Sequence, residues 1–186
     1  MALPLTEKIV RLHRALEEGA LEHAFGGALA LAYCTEDPRA THDIDLNVFV
    51  GIDQLPAVLA ALPRGVVAGE AERTLLARDA QARLWWDGTP VDLFLSNHPF
   101  HDEVQGRCRG VPFAGVDDLP VLGCDDLAVF KAFFARPKDA VDISTMAADG
   151  QLDPTLVLST VERLLGAEHP SVAFVRNAVR RGQHGG

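Results

Sequence analysis

Two aspartates, Asp43 and Asp45, are the residues of this chain whose type and spacing best suit chemistry. They lie in a segment in which polar and apolar residues alternate as far as Val48. Alternation of this kind predicts a half-buried β-strand, on which residues i and i+2 share a face. Two neighbouring carboxylates repel each other unless a cation lies between them. The pair therefore predicts a divalent metal held by oxygen ligands.

The same alternation divides the rest of the predicted strand, residues 43–50, between two faces. Asn47 is expected to share the outward face with the two aspartates. The opposite face carries apolar residues that we expect in a core, namely Ile44, Leu46, Val48 and Val50.

Two adjacent glycines, Gly26 and Gly27, precede the aspartates, between a short predicted strand and a predicted helix. Glycine lets the backbone approach a ligand closely, and a helix N-terminus offers free N–H groups to an anion such as phosphate. Glycine pairs more often only form turns, and that alternative stays open here. The order Gly-Gly followed by Asp-x-Asp favours phosphate binding.

A third acid, Asp92, lies in the strand-like run 91–95. If this strand lies beside the one that carries Asp43 and Asp45, three carboxylates converge. Two-metal phosphoryl or nucleotidyl transfer requires such a set, because one metal activates the attacking oxygen and the other stabilises the leaving pyrophosphate. The alternative, a hairpin acid that faces water, is equally open.

Lysine is scarce in the chain, and two of the three lysines, Lys131 and Lys138, fall within one short window. Lys131 interrupts an otherwise apolar predicted helix, so it either reaches to water or is directed at an anion. Lys138 and Asp142 are spaced i, i+4, which is also typical of a weak surface ion pair. The functional interpretation is that Lys131 or Lys138 binds a triphosphate, oriented by Asp139 or Asp142.

Periodicity, capping residues and turn residues predict a mixed α/β part followed by an all-helical part. Predicted strands are residues 23–25, 43–50, 82–86, 90–96 and 109–113, with a hairpin turn at 87–89 and a loop at 98–106. Predicted helices are residues 6–18, 28–34, 53–62, 125–134, 137–150, 154–166 and 170–181. The domain organisation that follows is an α/β core at 1–120, a helical part at 121–181 and a disordered tail at 182–186.

Composition narrows the classes of protein. The net charge of −9 disfavours a general nucleic-acid binder and suits a cationic substrate or partner. No apolar run approaches the roughly 20 residues that span a bilayer, and the N-terminus lacks signal-peptide features, so we expect a cytoplasmic protein. The three scattered cysteines, Cys34, Cys108 and Cys124, are accordingly expected to be reduced core thiols.

Three segments together resemble the nucleotidyltransferase superfamily: Phe25-Gly26-Gly27-Ala28-Leu29, then Arg39-x-Thr41-x-Asp43-Ile44-Asp45-Leu46, then Lys131 with Arg136-x-Lys138-Asp139-x-x-Asp142-Ile143. The first two are shared across the superfamily. The third is similar, more narrowly, to the AbiEii/MenT group of toxin nucleotidyltransferases from prokaryotic toxin–antitoxin and phage-exclusion systems. The resemblance covers about residues 25–146.

The resemblance implies an α/β (α+β) fold, a nucleotidyltransferase-like mixed sheet with flanking helices and a helical C-terminal part. It implies an enzyme that uses Mg²⁺ (or Mn²⁺) to move a nucleotide from an NTP onto the 3′ acceptor end of tRNA, which blocks translation. A toxin of this kind implies a cognate antitoxin protein as a partner, and no membrane.

The resemblance and the residue types together assign roles. The expected metal ligands are Asp43, Asp45 and Asp92. The expected phosphate-contacting residues are Gly26, Gly27, Thr41, Lys131 and Lys138. The expected catalytic residues are Asp43, Asp45, Lys131, Asp139 and Asp142.

Two features depart from the superfamily pattern. Many members have Gly-Ser where this chain has Gly26-Gly27, so Thr41 is expected to supply the missing hydroxyl. The acidity of the chain also fits tRNA poorly, so an RNA groove would have to draw on scattered arginines and Lys138. Two alternatives therefore stay open. One is nucleotidyl transfer to a small cationic molecule or a protein side chain, and the other is a non-catalytic module that binds an NTP or an antitoxin.

Overall fold

A computed structural model describes residues 3–36 and 40–184. The chain forms two compact units. The first unit comprises residues 3–29 and 40–122, and the second comprises residues 30–36 and 123–184. Within the described ranges, no helix combines the length and the apolar character needed to cross a membrane.

The first unit is built on a seven-stranded mixed sheet with the order β3-β4-β5-β2-β1-β7-β6. The strands are β1 (His23–Phe25), β2 (Ile44–Val48), β3 (Val66–Val67), β4 (Gln81–Trp86), β5 (Thr89–Leu95), β6 (Arg109–Phe113) and β7 (Val116–Val121). The central pair, β2 and β5, is parallel, and β2 is antiparallel to β1. The sequence predicted five of these strands and missed β3 and β7.

The register of β2 against β5 follows from their alternating patterns. Ile44 pairs with Val91, Leu46 with Leu93 and Val48 with Leu95, and all six side chains are buried. A shift of one residue would move this apolar set to the other face of the sheet, so burial fixes the register. Val50, which we predicted in the core, lies beyond the end of β2 and is half-buried.

The hairpin predicted at residues 87–89 is confirmed between β4 and β5. Asp87 and Gly88 both have positive φ angles, 44° and 78°, as a two-residue type I′ turn requires. Trp86 is 3% exposed and Trp85 is 47% exposed, as expected for consecutive residues on opposite faces of a strand.

The first unit also contains α1 (Leu5–Glu18), a 3₁₀ helix (Ile52–Gln54), α3 (Leu55–Ala61), α4 (Glu70–Asp79) and α5 (Phe100–Gln105). Helix α2 (Gly27–Leu31) begins in this unit and leads into the second. The loop predicted at 98–106 is wrong, because α5 forms there and buries Phe100 and Val104 on one face. These two residues are spaced i, i+4, which places them on the same side of a helix.

Lys8 on α1 is buried, with 1% of its surface exposed. Its Nζ donates hydrogen bonds to the carbonyl oxygen of Trp86 at 2.6 Å and to the hydroxyl of Thr89 at 2.9 Å. A buried ammonium group needs such partners. Lys8 therefore ties α1 to the two ends of the hairpin turn.

The second unit contains α6 (Cys124–Phe134), α7 (Pro137–Ala148), α8 (Pro154–Leu165) and α9 (Pro170–His184). Pro137 and Pro154 occupy the first helical turn, as predicted. The predicted disorder of the tail is wrong for residues 182–184, because α9 continues to His184 and Gly182 packs against α7. Residues 185 and 186 lie outside the described residues.

The cysteine prediction is wrong for two of the three residues. Cys34 and Cys124 form a disulfide, with their Cα atoms 5.6 Å apart. Both residues belong to the second unit, and they are 90 positions apart in sequence. The spacing of so few cysteines carries no signal for a pair that only the fold brings together. Cys108 remains a thiol.

Two buried histidines connect α1 with β1. Nδ1 of His23 lies 2.8 Å from the carbonyl oxygen of Leu21, so this nitrogen donates to the carbonyl. Nε2 of a neutral His23 then accepts from Nδ1 of His13, at 3.0 Å. Burial lowers the pKa of both histidines below their ordinary value. For His13 this effect outweighs the opposing charge of Glu17.

The first prediction concerns the free energy of unfolding as a function of pH. Because the pKa values of His13 and His23 are lower in the folded protein, the unfolded chain binds more protons at these residues when the solution is acidified. The pKa of a histidine in the unfolded chain is about 6.5. The two neutral histidines therefore leave the free energy of unfolding undiminished above this pH, and the free energy falls as the pH drops below it. Urea denaturation should therefore give lower stability at pH 5.5 than at pH 7.5.

The matched controls use substitutions that remove these protonation sites. His13→Gln combined with His23→Gln should reduce the pH dependence, whereas His42→Gln, at an exposed position, should retain it. An unchanged pH dependence in the double variant would show that other groups are responsible.

Candidate active site

The glycine turn lies directly against the carboxylate of Asp45. The backbone N–H of Gly26 donates to the carbonyl oxygen of Asp45 at 2.9 Å. Gly27 has a φ of +52°, and a Cβ atom at this position would lie 1.7 Å from Oδ2 of Asp45. Only glycine fits both the conformation and the space. The antiparallel pairing of β1 with β2 therefore brings the predicted phosphate turn to one of the predicted metal ligands.

Asp43 is positioned by Thr41. The Thr41 hydroxyl makes a short hydrogen bond with Oδ1 of Asp43, and the backbone N–H of Asp43 lies 3.3 Å from the same hydroxyl oxygen. This local loop orients the carboxylate just before β2 begins. In this arrangement Thr41 contacts Asp43, so its predicted contact with a phosphate stays a prediction. Arg39, which belongs to the same motif, lies outside the described residues.

Asp92 lies beside Asp45 in the sheet. The two are register partners on the parallel strands β2 and β5, so their side chains leave the same face of the sheet. Both are half-buried, in contrast with the apolar residues on either side of them. The condition set by the sequence, that the strand of Asp92 lies beside that of Asp43 and Asp45, is thus met.

Asp92 is held by Arg83 of β4. The guanidinium group donates from Nε to Oδ1 and from Nη2 to Oδ2, both at 2.7 Å. The two residues are register partners across the β4–β5 hairpin, which explains the bidentate geometry. The hydrogen bonds that Arg83 donates to the Asp92 carboxylate raise the pKa of Arg83 above its ordinary value. Burial opposes this rise in pKa, and the negative charges of Asp92, Asp43 and Asp45 each add a smaller increase.

Asp43 and Asp45 supply the donor type that Mg²⁺ or Mn²⁺ takes, because carboxylate oxygens suit hard divalent cations. Both side chains are half-buried and therefore accessible from one side. The part of the chain that the structure describes contains no group of three or more His, Cys, Asp or Glu residues arranged to hold a metal ion. Both carboxylate oxygens of Asp92 are engaged by Arg83. The residues present thus fit a metal on Asp43 and Asp45, and Asp92 as a third ligand stays a prediction.

Asn47 does not behave as an exposed member of this face. It is 6% exposed, and its Nδ2 donates to the carbonyl oxygen of Ala24 at 3.4 Å. The exposure predicted for it is therefore wrong, because Gly26 packs against its Nδ2 on the strand face that Asn47 shares with Asp45.

The second unit brings Lys131, Asp139 and Asp142 together. Nζ of Lys131 lies 2.6 Å from Oδ2 of Asp142 and 3.7 Å from Oδ1 of Asp139, and all three side chains are buried. Asp139 also accepts hydrogen bonds from the backbone N–H of Arg136 at 3.1 Å and from its Nε at 2.7 Å. Each of these buried charges needs its partner, because removal of one would leave the others buried without compensation.

Lys138 lies apart from that network and is exposed. The sequence offered two interpretations for Asp142, a surface ion pair with Lys138 or a role in orienting a triphosphate. The structure instead gives Asp142 a buried partner, Lys131. The roles predicted for Lys131, Lys138, Asp139 and Asp142 toward a triphosphate stay predictions.

No protein-family model and no curated protein sequence matches this sequence. Solved structures do match. A crystal structure of ANT(2'')-Ia in complex with adenylyl-2''-tobramycin aligns with a TM-score of 0.55 over 94% of this chain and 96% of that chain, at 18% sequence identity. The chain has a nucleotidyltransferase-like fold.

The solution structure of the antibiotic-resistance factor ANT(2'')-Ia also matches this nucleotidyltransferase-like fold. It aligns with a TM-score of 0.51 over 94% of this chain and 90% of that chain, again at 18% identity. The predicted fold class is confirmed. The narrower resemblance to the AbiEii/MenT group stays a prediction.

Arg83 is the residue that sequence reasoning failed to place in the site. A signal for it exists, because a two-residue turn at Asp87-Gly88 fixes the hairpin register. Counting outward from the turn pairs Trp86 with Thr89 and, three residues further, Arg83 with Asp92. The register of the predicted hairpin therefore implies the pairing of Arg83 with Asp92.

The second prediction uses two glycines that share a positive φ but differ in their surroundings. Gly88→Ala should cost only the backbone strain, about 1–2 kcal/mol, because no described atom lies within 4 Å of its Cβ position. Gly27→Ala should cost the same strain and a further ~1–3 kcal/mol, because the added methyl group meets the Asp45 carboxylate. Urea denaturation of the two variants measures the difference. Equal losses would show that Gly27 is needed for its φ angle alone.

Proposed function

We propose that this chain is an NTP-dependent nucleotidyltransferase whose reaction takes place on the face of the sheet that carries Asp43, Asp45 and Asp92. The supporting observation is the register of β2 against β5, which places Asp45 beside Asp92 while Gly27 lies against the Asp45 carboxylate. Acids and a close backbone approach at one point are what a metal-bound triphosphate requires.

In the proposed reaction an acceptor oxygen forms a bond to the α-phosphorus of the NTP, and the bond between that phosphorus and the bridging oxygen of pyrophosphate breaks. The acceptor proton passes to a carboxylate of the site and then to water. Asp43 and Asp45 hold the divalent metal, and Thr41 keeps Asp43 in place. A bound metal supplies charge neutralisation at the phosphates.

The turn at Gly26 and Gly27 carries the triphosphate. The absence of a Cβ atom at Gly27 lets the Asp45 carboxylate lie directly against the turn. A triphosphate held by the turn would therefore lie close to the residues that would hold the metal. The substrate is therefore oriented by backbone groups on one side and by the two aspartates on the other.

A small cationic acceptor is favoured by the charge of the chain. The net charge of −9 attracts a polycationic substrate and repels a polyanionic one. The crystal structure of the neighbour ANT(2'')-Ia is of a complex with adenylyl-2''-tobramycin. An amino sugar or a related polyamine that bears a hydroxyl group fits both observations.

The second candidate acceptor is the 3′ end of tRNA, with the protein acting as a toxin that an antitoxin neutralises. The Arg-x-Lys-Asp-x-x-Asp pattern that starts at Arg136 supports this candidate through its resemblance to the toxin group. It requires a local basic groove on an acidic protein.

The third prediction is that the protein transfers a nucleotide to a small cationic acceptor. The assay incubates the protein with α-³²P-labelled NTPs and Mg²⁺, and with either a panel of aminoglycosides or total tRNA as the acceptor. The wild-type protein should transfer label to an aminoglycoside and release one pyrophosphate for each nucleotide transferred. Asp43→Asn and Asp45→Asn should each reduce transfer by at least ~100-fold, since each removes a metal ligand.

A matched control is Asp53→Asn, which removes an exposed acid from the 3₁₀ helix and should keep full activity. Transfer of labelled nucleotide to tRNA, and to none of the aminoglycosides, would favour the second candidate, a toxin that acts on tRNA. Metal-dependent NTP binding with no transfer to any acceptor would contradict the proposed enzyme and leave the non-catalytic module.

A further inference from the structure

Arg83 neutralises a carboxylate that belongs to the candidate active site. Its guanidinium group engages both oxygens of Asp92 at 2.7 Å. Asp92 is the register partner of Asp45, so the guanidinium sits at the edge of the group of acids. A cation in this position reduces the mutual repulsion of the acids, as a metal ion would.

The exposure of Arg83 also allows another cation to replace it in its ion pair with Asp92. Its side chain is 51% exposed, while that of Asp92 is 19% exposed. A half-exposed arginine can move into water, and a divalent cation that takes its place keeps the largely buried Asp92 carboxylate paired. This contrasts with Lys131 in the second unit, whose side chain is 5% exposed and whose acidic partners are buried with it.

The carboxylate of Asp92 can bind either the Arg83 guanidinium group or a divalent cation. Asp92 can offer its oxygens to a guanidinium or to a divalent cation, but two oxygens in a bidentate ion pair are not available to both. The neighbouring acids on the same face, Asp43 and Asp45, attract either cation.

We propose that Arg83 is a positioning residue that competes with the divalent metal for Asp92. This inference rests on the metal site of the proposed function. In the metal-free protein Arg83 holds Asp92, and a metal ion bound by Asp43 and Asp45 gains Asp92 only by displacing the guanidinium. Arg83 thereby weakens the binding of a bare metal ion and keeps the third carboxylate in place until the metal arrives.

The size of the expected effect follows from the exposure of the pair. Fully exposed ion pairs contribute up to about fivefold in an equilibrium constant, and a partly buried bidentate contact next to two further acids contributes more than such a pair. Removal of Arg83 should therefore tighten metal binding by about 3- to 10-fold.

The experiment is a titration of the full-length protein with Mn²⁺ in the absence of NTP, followed by electron paramagnetic resonance of the free ion. Arg83→Gln should bind Mn²⁺ about 3- to 10-fold more tightly than wild type. Arg83→Lys keeps the positive charge but cannot make the bidentate contact of the guanidinium group. Its affinity for Mn²⁺ should therefore lie between those of wild type and Arg83→Gln.

Arg78→Gln is the matched control. Arg78 makes the same bidentate contact with Asp79, from Nε at 2.7 Å and from Nη2 at 2.5 Å, on the exposed surface of α4. The substitution changes the net charge by the same amount and should leave the affinity for Mn²⁺ unchanged. Circular dichroism of each variant confirms that the fold is retained.

The double variant Arg83→Gln with Asp92→Asn separates competition from general electrostatics. If Arg83 acts by occupying Asp92, the gain in affinity disappears when Asp92 can no longer ligate. A gain that persists in the double variant, or a wild-type affinity in Arg83→Gln, overturns the inference.

The outcomes also separate this inference from the proposed function. Wild-type binding of Mn²⁺ that is abolished by Asp43→Asn, together with no gain in Arg83→Gln, overturns the role of Arg83 alone. No binding by wild type or by Arg83→Gln overturns the metal site and this inference together.

Discussion

Repulsion between carboxylates on one face of the sheet is the constraint on which the candidate site depends. Asp45 and Asp92 are register partners on adjacent strands, and Asp43 precedes Asp45 by two residues. Like charges in this position destabilise a strand pair. The apolar pairs on the opposite face hold the register, and the Arg83 guanidinium offsets part of the repulsion. The fold therefore keeps acids together at a point where a metal ion or a guanidinium lowers their energy.

The charged side chains singled out in the two units differ in how deeply they are buried. In the first unit the acids remain half-buried and accessible, and Gly27 lets the glycine turn lie directly against Asp45. In the second unit Lys131 and its carboxylate partners are buried. Internal ion pairs of the second kind suit a fixed structure, whereas accessible acids of the first kind suit exchange of ligands.

Much of the fold was predictable, because alternating strands, the Asp87-Gly88 turn and the proline-initiated helices carry local signals. The core residues of β2 followed from the same alternation. Other features depend on tertiary contacts that no local pattern encodes. Among them are the disulfide of Cys34 with Cys124, the burial of Asn47, and the pairing of Lys131 with Asp142.

The most direct test of a nucleotidyltransferase site on this sheet is X-ray diffraction from crystals grown with Mn²⁺ and a non-hydrolysable NTP analogue. The predicted result is an anomalous manganese peak within about 2.3 Å of carboxylate oxygens of Asp43 and Asp45, with the triphosphate at Gly26 and Gly27. A nucleotide bound elsewhere, or manganese absent from both aspartates while the nucleotide is present, would contradict it.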